Sequence, residues 1–225
     1  MNFQDDVIFW PERFKDHVML LFLLIDSQRA NDLKVRAYQE IANWNTYLNF
    51  PDLNLLNQLI PSILTLKEDV LKRSQMSLIN LVLSSNDFTT LVKHMIKELM
   101  FFSRKMNNDI SSMEELVFWS QEGSEHTELA NHLIPLLQIN PRLAHELRVQ
   151  TAQLAKDLNT NDRILTADTL SVVHQMSNEK MIQLDTLIQQ GNRDAIKDLL
   201  HMMIEHEIKE GLRGQKRIQE ITGHY

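Results

Sequence analysis

The chain has no cysteine, which excludes disulfides, thiolate metal sites and cysteine nucleophiles and leads us to expect a reducing compartment. Only five glycines and five prolines punctuate its 225 residues. Alternating runs of Val, Ile, Thr and Tyr are missing too, so short strands joined by tight turns are not expected. Basic residues number 23 against 30 acidic ones, a net charge of −7. No basic stripe faces a phosphate backbone, which argues against nucleic acid as a partner. The apolar run at 18–25 is too short to span a bilayer. The start, with Asp5 and Asp6, lacks the basic leader of a signal peptide. Neither a Gly-rich phosphate loop, a Gly-x-Ser-x-Gly elbow nor a Ser-His-Asp cluster occurs. The expectation is a soluble cytoplasmic protein without a membrane partner.

What remains is helical material. Apolar residues make up 43% of the chain, enough for a core, and long stretches are Leu, Ile, Met, Gln, Lys and Glu, which lose little rotamer freedom in a helix. The chain therefore reads as all-α. Pro11 suits a first helical turn, followed by Phe14, Val18, Leu21, Phe22 and Ile25 at helical spacing. Further helices are expected over about 31–48, from about Asp52 to Leu83 with a kink at Pro61, and from the cap Ser85-Asn86-Asp87 to about Met106. The polar stretch 107–109 reads as a boundary. Beyond it, helices are expected over about 112–137, 141–158, from a turn at 159–162 to about Gln190 before the cap Gly191-Asn192, and on to about Ile221. Four helices on each side suggest two tandem antiparallel four-helix bundles, 1–108 and 109–225.

The two halves repeat. Phe9-Trp10 with His17 is echoed by Phe118-Trp119 with His126, and His94-Met-Ile-Lys-Glu98 by His206-Glu-Ile-Lys-Glu210. The offset is 109 residues at the tryptophans and 112 at the His-x-x-x-Glu elements. Two copies of so long a period indicate internal duplication rather than a solenoid.

Residues four apart share one helix face. Glu122 with His126 and His206 with Glu210 have that spacing. If the opening and closing helices of the second half pack side by side, these four converge on a mixed carboxylate and imidazole site. Such a donor set suits Fe, Mn or Zn better than Ca or Mg. In the first half His17, His94 and Glu98 form a weaker copy, because Arg13 stands where Glu122 stands and could pair with Glu98 in place of a metal. Surface Glu/His pairs are common in helices, but surface residues have no reason to keep register after duplication, so recurrence favours a site. Gly123 weakens its helix and lets a neighbour approach closely.

The other candidates are weaker. His201 and Glu205 are four apart on a different face from His206, and His174 would join the site only if the third helix faces it. His132 and His145 read as rim residues and His224 as tail. Asp16 and Glu125 point away from the repeated histidines, as surface charges or partners of a ligand. Asp157-x-Asn159-x-Asn161 begins like a calcium loop but has Asp162 where Gly is required and Asp168 where Glu is. The methionines read as core filler and Trp10 and Trp119 as packing anchors.

At Phe118-Trp119 with Glu125-His126, at Glu205-His206-x-x-x-Glu210, and at their copies Phe9-Trp10 with Asp16-His17 and Lys93-His94-x-x-x-Glu98, the chain resembles the bacterial DUF2935 family of ferritin-like proteins. The resemblance extends over nearly the whole layout but is specific only at these four motifs. It implies paired ferritin-like bundles with a metal site and no defined reaction. The expected cofactor is a transition metal ion, Fe or Mn before Zn, and a homodimer is compatible with the layout. Two Glu-x-x-His motifs per bundle are lacking, so a full ferritin-type di-iron centre is not expected. The rival readings are a metal-free helical interaction protein, its His/Glu pairs serving as buried links, and a hemerythrin-like oxygen carrier, which would want a His-x-x-x-His that does not occur.

Overall fold

The computed structural model describes residues 3–76, 83, 85–134, 141–158, 167–190 and 195–223. Among them there are eight helices and no strand: α1 (Phe3–Leu24), α2 (Ser27–Asn49), α3 (Leu53–Gln75), α4 (Ser85–Met106), α5 (Ser112–Leu133), α6 (Pro141–Leu158), α7 (Ala167–Gln190) and α8 (Ala195–Thr222). The chain is all-α, and no helix is long and apolar enough to cross a membrane among the described residues. The turn at 159–162, the heart of the calcium-loop-like stretch, the cap at 191–192 and His224 lie outside the described residues, as does most of the expected continuation of the third and fifth helices.

Local chemistry sets the helix ends. The Asp26 carboxylate accepts from Gln28 N at 2.8 Å and Asp52 from Leu55 N at 2.8 Å, each satisfying a donor with no partner inside its helix. Ser111 and Glu114 form a reciprocal capping box: Glu114 N donates to Ser111 Oγ at 3.2 Å, and Ser111 N to Glu114 Oε2 at 2.9 Å. Asn108 (φ 55°) follows the end of α4, in a left-handed conformation that Asn tolerates. α2 carries a non-helical residue at Ala30, one position before its expected start.

One helix start is corrected. α1 begins at Phe3, so Pro11 lies inside it rather than in its first turn. A proline there cannot donate to the carbonyl four residues back. The Tyr47 hydroxyl of α2 donates to that carbonyl, Val7 O, at 3.0 Å. α3 likewise runs on through Pro61.

The chain divides into two compact units, Met1–Asp109 and Ile110–Tyr225. In each unit the four helices pack on their neighbours in sequence and the first packs on the last; in the second unit α5 also meets α7. The first unit closes around aromatics. Phe14 stacks 5.8 Å from Trp10, with Phe102 at 5.4 Å and Trp44 at 5.7 Å edge-on. The same offsets that align the repeats map Phe14, Leu99 and Phe102 onto Gly123, Gly211 and Gly214. In the second unit α7 fills that room with polar side chains. A Cβ on Gly123 would lie 2.7 Å from His174 Nε2, and one on Gly211 2.0 Å from Asn178 Oδ1. A Cβ on Gly214 would meet Trp119 Cε3 at 2.7 Å. The second core thus lacks the aromatics equivalent to Phe14 and Phe102 and is lined there with His174, Ser177 and Asn178, all buried.

Candidate metal centre

The opening and closing helices of each unit are tied by a buried ion pair at equivalent positions. In the second unit Arg217 forks onto Glu115 at 2.9 and 3.0 Å, and the Trp119 indole N–H reaches the same carboxylate at 3.4 Å. In the first unit Lys105 takes the place of Arg217 and Asp6 that of Glu115, at 3.0 Å. These pairs fix the register of α8 against α5 and of α4 against α1, which brings the repeated His and Glu residues to one level.

In the second unit Glu122, His126, His206, Glu207 and Glu210 are all buried, none more than 2% exposed. Three carboxylates meet one imidazole nitrogen. His126 Nε2 lies 2.9 Å from Glu207, 3.4 Å from Glu210 and 3.5 Å from Glu122. The other oxygen of Glu210 is 3.2 Å from His206 Nε2, so this carboxylate spans two imidazoles. Donor atoms of Glu122, His126 and Glu210 all lie within 4.8 Å of one another, close enough to hold a metal ion, as do those of His206 and Glu210. Burial alone would lower the His126 pKa, but the charge of Glu207 and hydrogen bonding to the carboxylates of Glu122, Glu207 and Glu210, which accept, hold it well above the usual imidazole value.

In the first unit Glu98 repeats the spanning role of Glu210. Its oxygens lie 3.0 Å from His17 Nε2 and 3.3 Å from His94 Nε2. Burial would raise its pKa, yet the charge of His94 and the hydrogen bonds it accepts from the two imidazoles hold it well below the usual carboxylate range. The expected Arg13–Glu98 pair is not made. Arg13 instead bonds along its own helix, to Asp16 at 3.2 Å and Glu12 at 3.7 Å. The cation that reaches this cluster comes from α3: Lys67, fully buried, with Nζ 3.0 Å from His17 Nδ1.

His174 is buried, but one ring nitrogen is committed elsewhere: Nε2 donates to Trp119 O at 2.7 Å. Burial, with the charge of His126 in the same direction, lowers its pKa to about 4 against the smaller opposing effect of that hydrogen bond. His201 bonds Asp185, and Glu205 pairs with Lys209 at the surface, so neither joins the cluster. His145 is exposed, and the His132 side chain lies outside the described residues.

Two residues escaped sequence reasoning. Glu207 lies three positions before Glu210 and so on its face, but Met95 holds its place in the first half, and a search for recurrence passes over it. Lys67 has no basic counterpart for the same reason. No family model, curated protein or solved structure matches the chain.

Proposed function

We propose that this is a ferritin-like helical protein that holds a transition metal in its second unit, allied to the DUF2935 family by the motifs above. His126, His206, Glu210 and Glu122 are the proposed ligands, with Glu207 added by its position. The observation that carries the reading is the convergence of three buried carboxylates on His126 Nε2, a nitrogen able to offer one proton among them. Carboxylates crowded together in a buried site repel one another. A divalent cation among them would relieve that repulsion and accept the imidazole lone pairs.

The donor set favours Fe or Mn over Zn. Three carboxylates and two imidazoles exceed the four-coordinate shell Zn prefers and are richer in oxygen. Iron or manganese held there would supply redox or oxygen chemistry; no reaction is assigned. For the protein's part, His126 must give up the proton it shares with Glu207 before Nε2 can ligate, so loading releases protons.

Elemental analysis of protein purified without an affinity tag tests this. We expect about one or two Fe or Mn per chain, from a site whose ligands are deprotonated on binding. His206→Ala and Glu207→Gln should each remove that metal while helicity by circular dichroism is retained. Protein that is folded, metal-free and resistant to loading with Fe(II) or Mn(II) would favour the interaction protein instead.

A further inference from the structure

We infer that Lys67 is a resident cation of the first unit, standing where a metal would stand in charge and keeping metal off His17. The inference rests on the metal reading of the second unit only for the contrast between the copies. Lys67 lies on α3 and is fully buried, a rare place for a lysine. Its Nζ is 2.7 Å from Met95 O, 3.0 Å from His17 Nδ1 and 5.4 Å from the centre of the Phe14 ring. Two acceptors and an aromatic face match the three hydrogens and the charge of an ammonium.

The consequence falls on His17. A ring nitrogen that accepts from Lys67 carries no proton, so the proton sits on Nε2, which donates to Glu98 at 3.0 Å. A metal facing Glu98 needs the lone pair on that same Nε2. Metal-bound imidazoles keep their other nitrogen as a donor to a carbonyl or carboxylate, the reverse of what Lys67 imposes.

The second unit differs at every one of these points. The two repeat offsets map Lys67 onto 176–179, Met176-Ser177-Asn178-Glu179, none of them basic. Phe14, under the ammonium, becomes Gly123, and Met95 becomes Glu207. The first copy thus has one spanning carboxylate and its own cation; the second has three carboxylates and, at the mapped positions, none.

Metal titration of the full chain and of Lys67→Met tests this, with Mn(II) or Fe(II) alone as probe. The variant is expected to bind about one more ion per chain than the parent, and adding His17→Ala should remove the gain. This gain does not depend on whether the second unit binds, so failure of the metal reading and failure of this inference are distinguishable. Should Lys67→Met not fold, the parent carries the test. Side-chain nitrogen NMR of histidine-labelled protein should show His17 protonated on Nε2 and bare on Nδ1. An unchanged stoichiometry in a folded variant, loss of metal from the parent on His17→Ala, or a proton on Nδ1 of His17 would each overturn it.

Discussion

His174 shows how far one residue's surroundings set its chemistry. Its ring occupies space that exists only because Gly123 and Gly214 carry no Cβ. The pKa falls to about 4 in the folded chain, against an ordinary imidazole value of 6.5. As pH drops, the unfolded chain therefore takes up this proton first. The stability held by neutral His174 is complete above about 6.5 and drains as pH falls toward about 4. Between pH 7.5 and 5 this residue alone should cost the protein about 2 kcal/mol. His174→Gln keeps a donor for Trp119 O and removes the titration, so urea unfolding at the two pH values should show the parent losing about that much relative to the variant; parallel curves would refute the assignment. The site was legible in the sequence in part. Recurrence singled out His126, His206 and Glu210, because duplicated residues keep register where something holds them. It passed over Glu207 and Lys67, which are where the copies diverge, and divergence is invisible to a search for likeness.

At the scale of elements, helix type and most boundaries followed from caps and periodicity, while the start of α1 did not. Pro11 carries a start signal that is purely local, and the donor that lets the helix run past it belongs to Tyr47, 36 residues away on α2. No window of sequence contains both. The pairing makes a sharp expectation. Tyr47→Phe leaves Val7 O with neither the phenol nor a backbone N–H from position 11, and should cost about 1 kcal/mol. In a Pro11→Ala background the alanine N–H can reach the same carbonyl, and Tyr47→Phe should then cost distinctly less. Chemical unfolding of the four proteins in the cycle measures the difference, and an equal cost in both backgrounds would show that the hydroxyl does not stand in for the missing amide. The Asp6–Lys105 and Glu115–Arg217 pairs belong to the same scale. Each ties a unit's first helix to its last, at positions that keep the repeat's two offsets.

At the scale of the whole molecule, two four-helix units carry the same motifs at matching positions but have different interiors. Residues 1–110 carry 12 basic and 13 acidic side chains, while 111–225 carry 11 and 17, and two of the extra acids are the buried Glu122 and Glu207. The first unit spends its core on Trp10, Phe14, Trp44 and Phe102; the second carries glycine in place of Phe14, Leu99 and Phe102 and admits His174 and Asn178. A close-packed aromatic core is stable without a ligand, whereas a core of clustered carboxylates gains its stability when a cation arrives. Metal binding should therefore act unevenly along the chain. Hydrogen exchange read by mass spectrometry, with and without Mn(II) at about a hundred times its dissociation constant, should show amides of α5 and α8 slowed by up to about a hundredfold, since binding adds about 2.7 kcal/mol to whatever opening releases the ion. Helices α2 and α3, which contribute no proposed ligand, should change least. If the strongest protection appeared there instead, or if α5 and α8 exchanged at one rate in both conditions, the carboxylates around His126 would be structural charges rather than ligands.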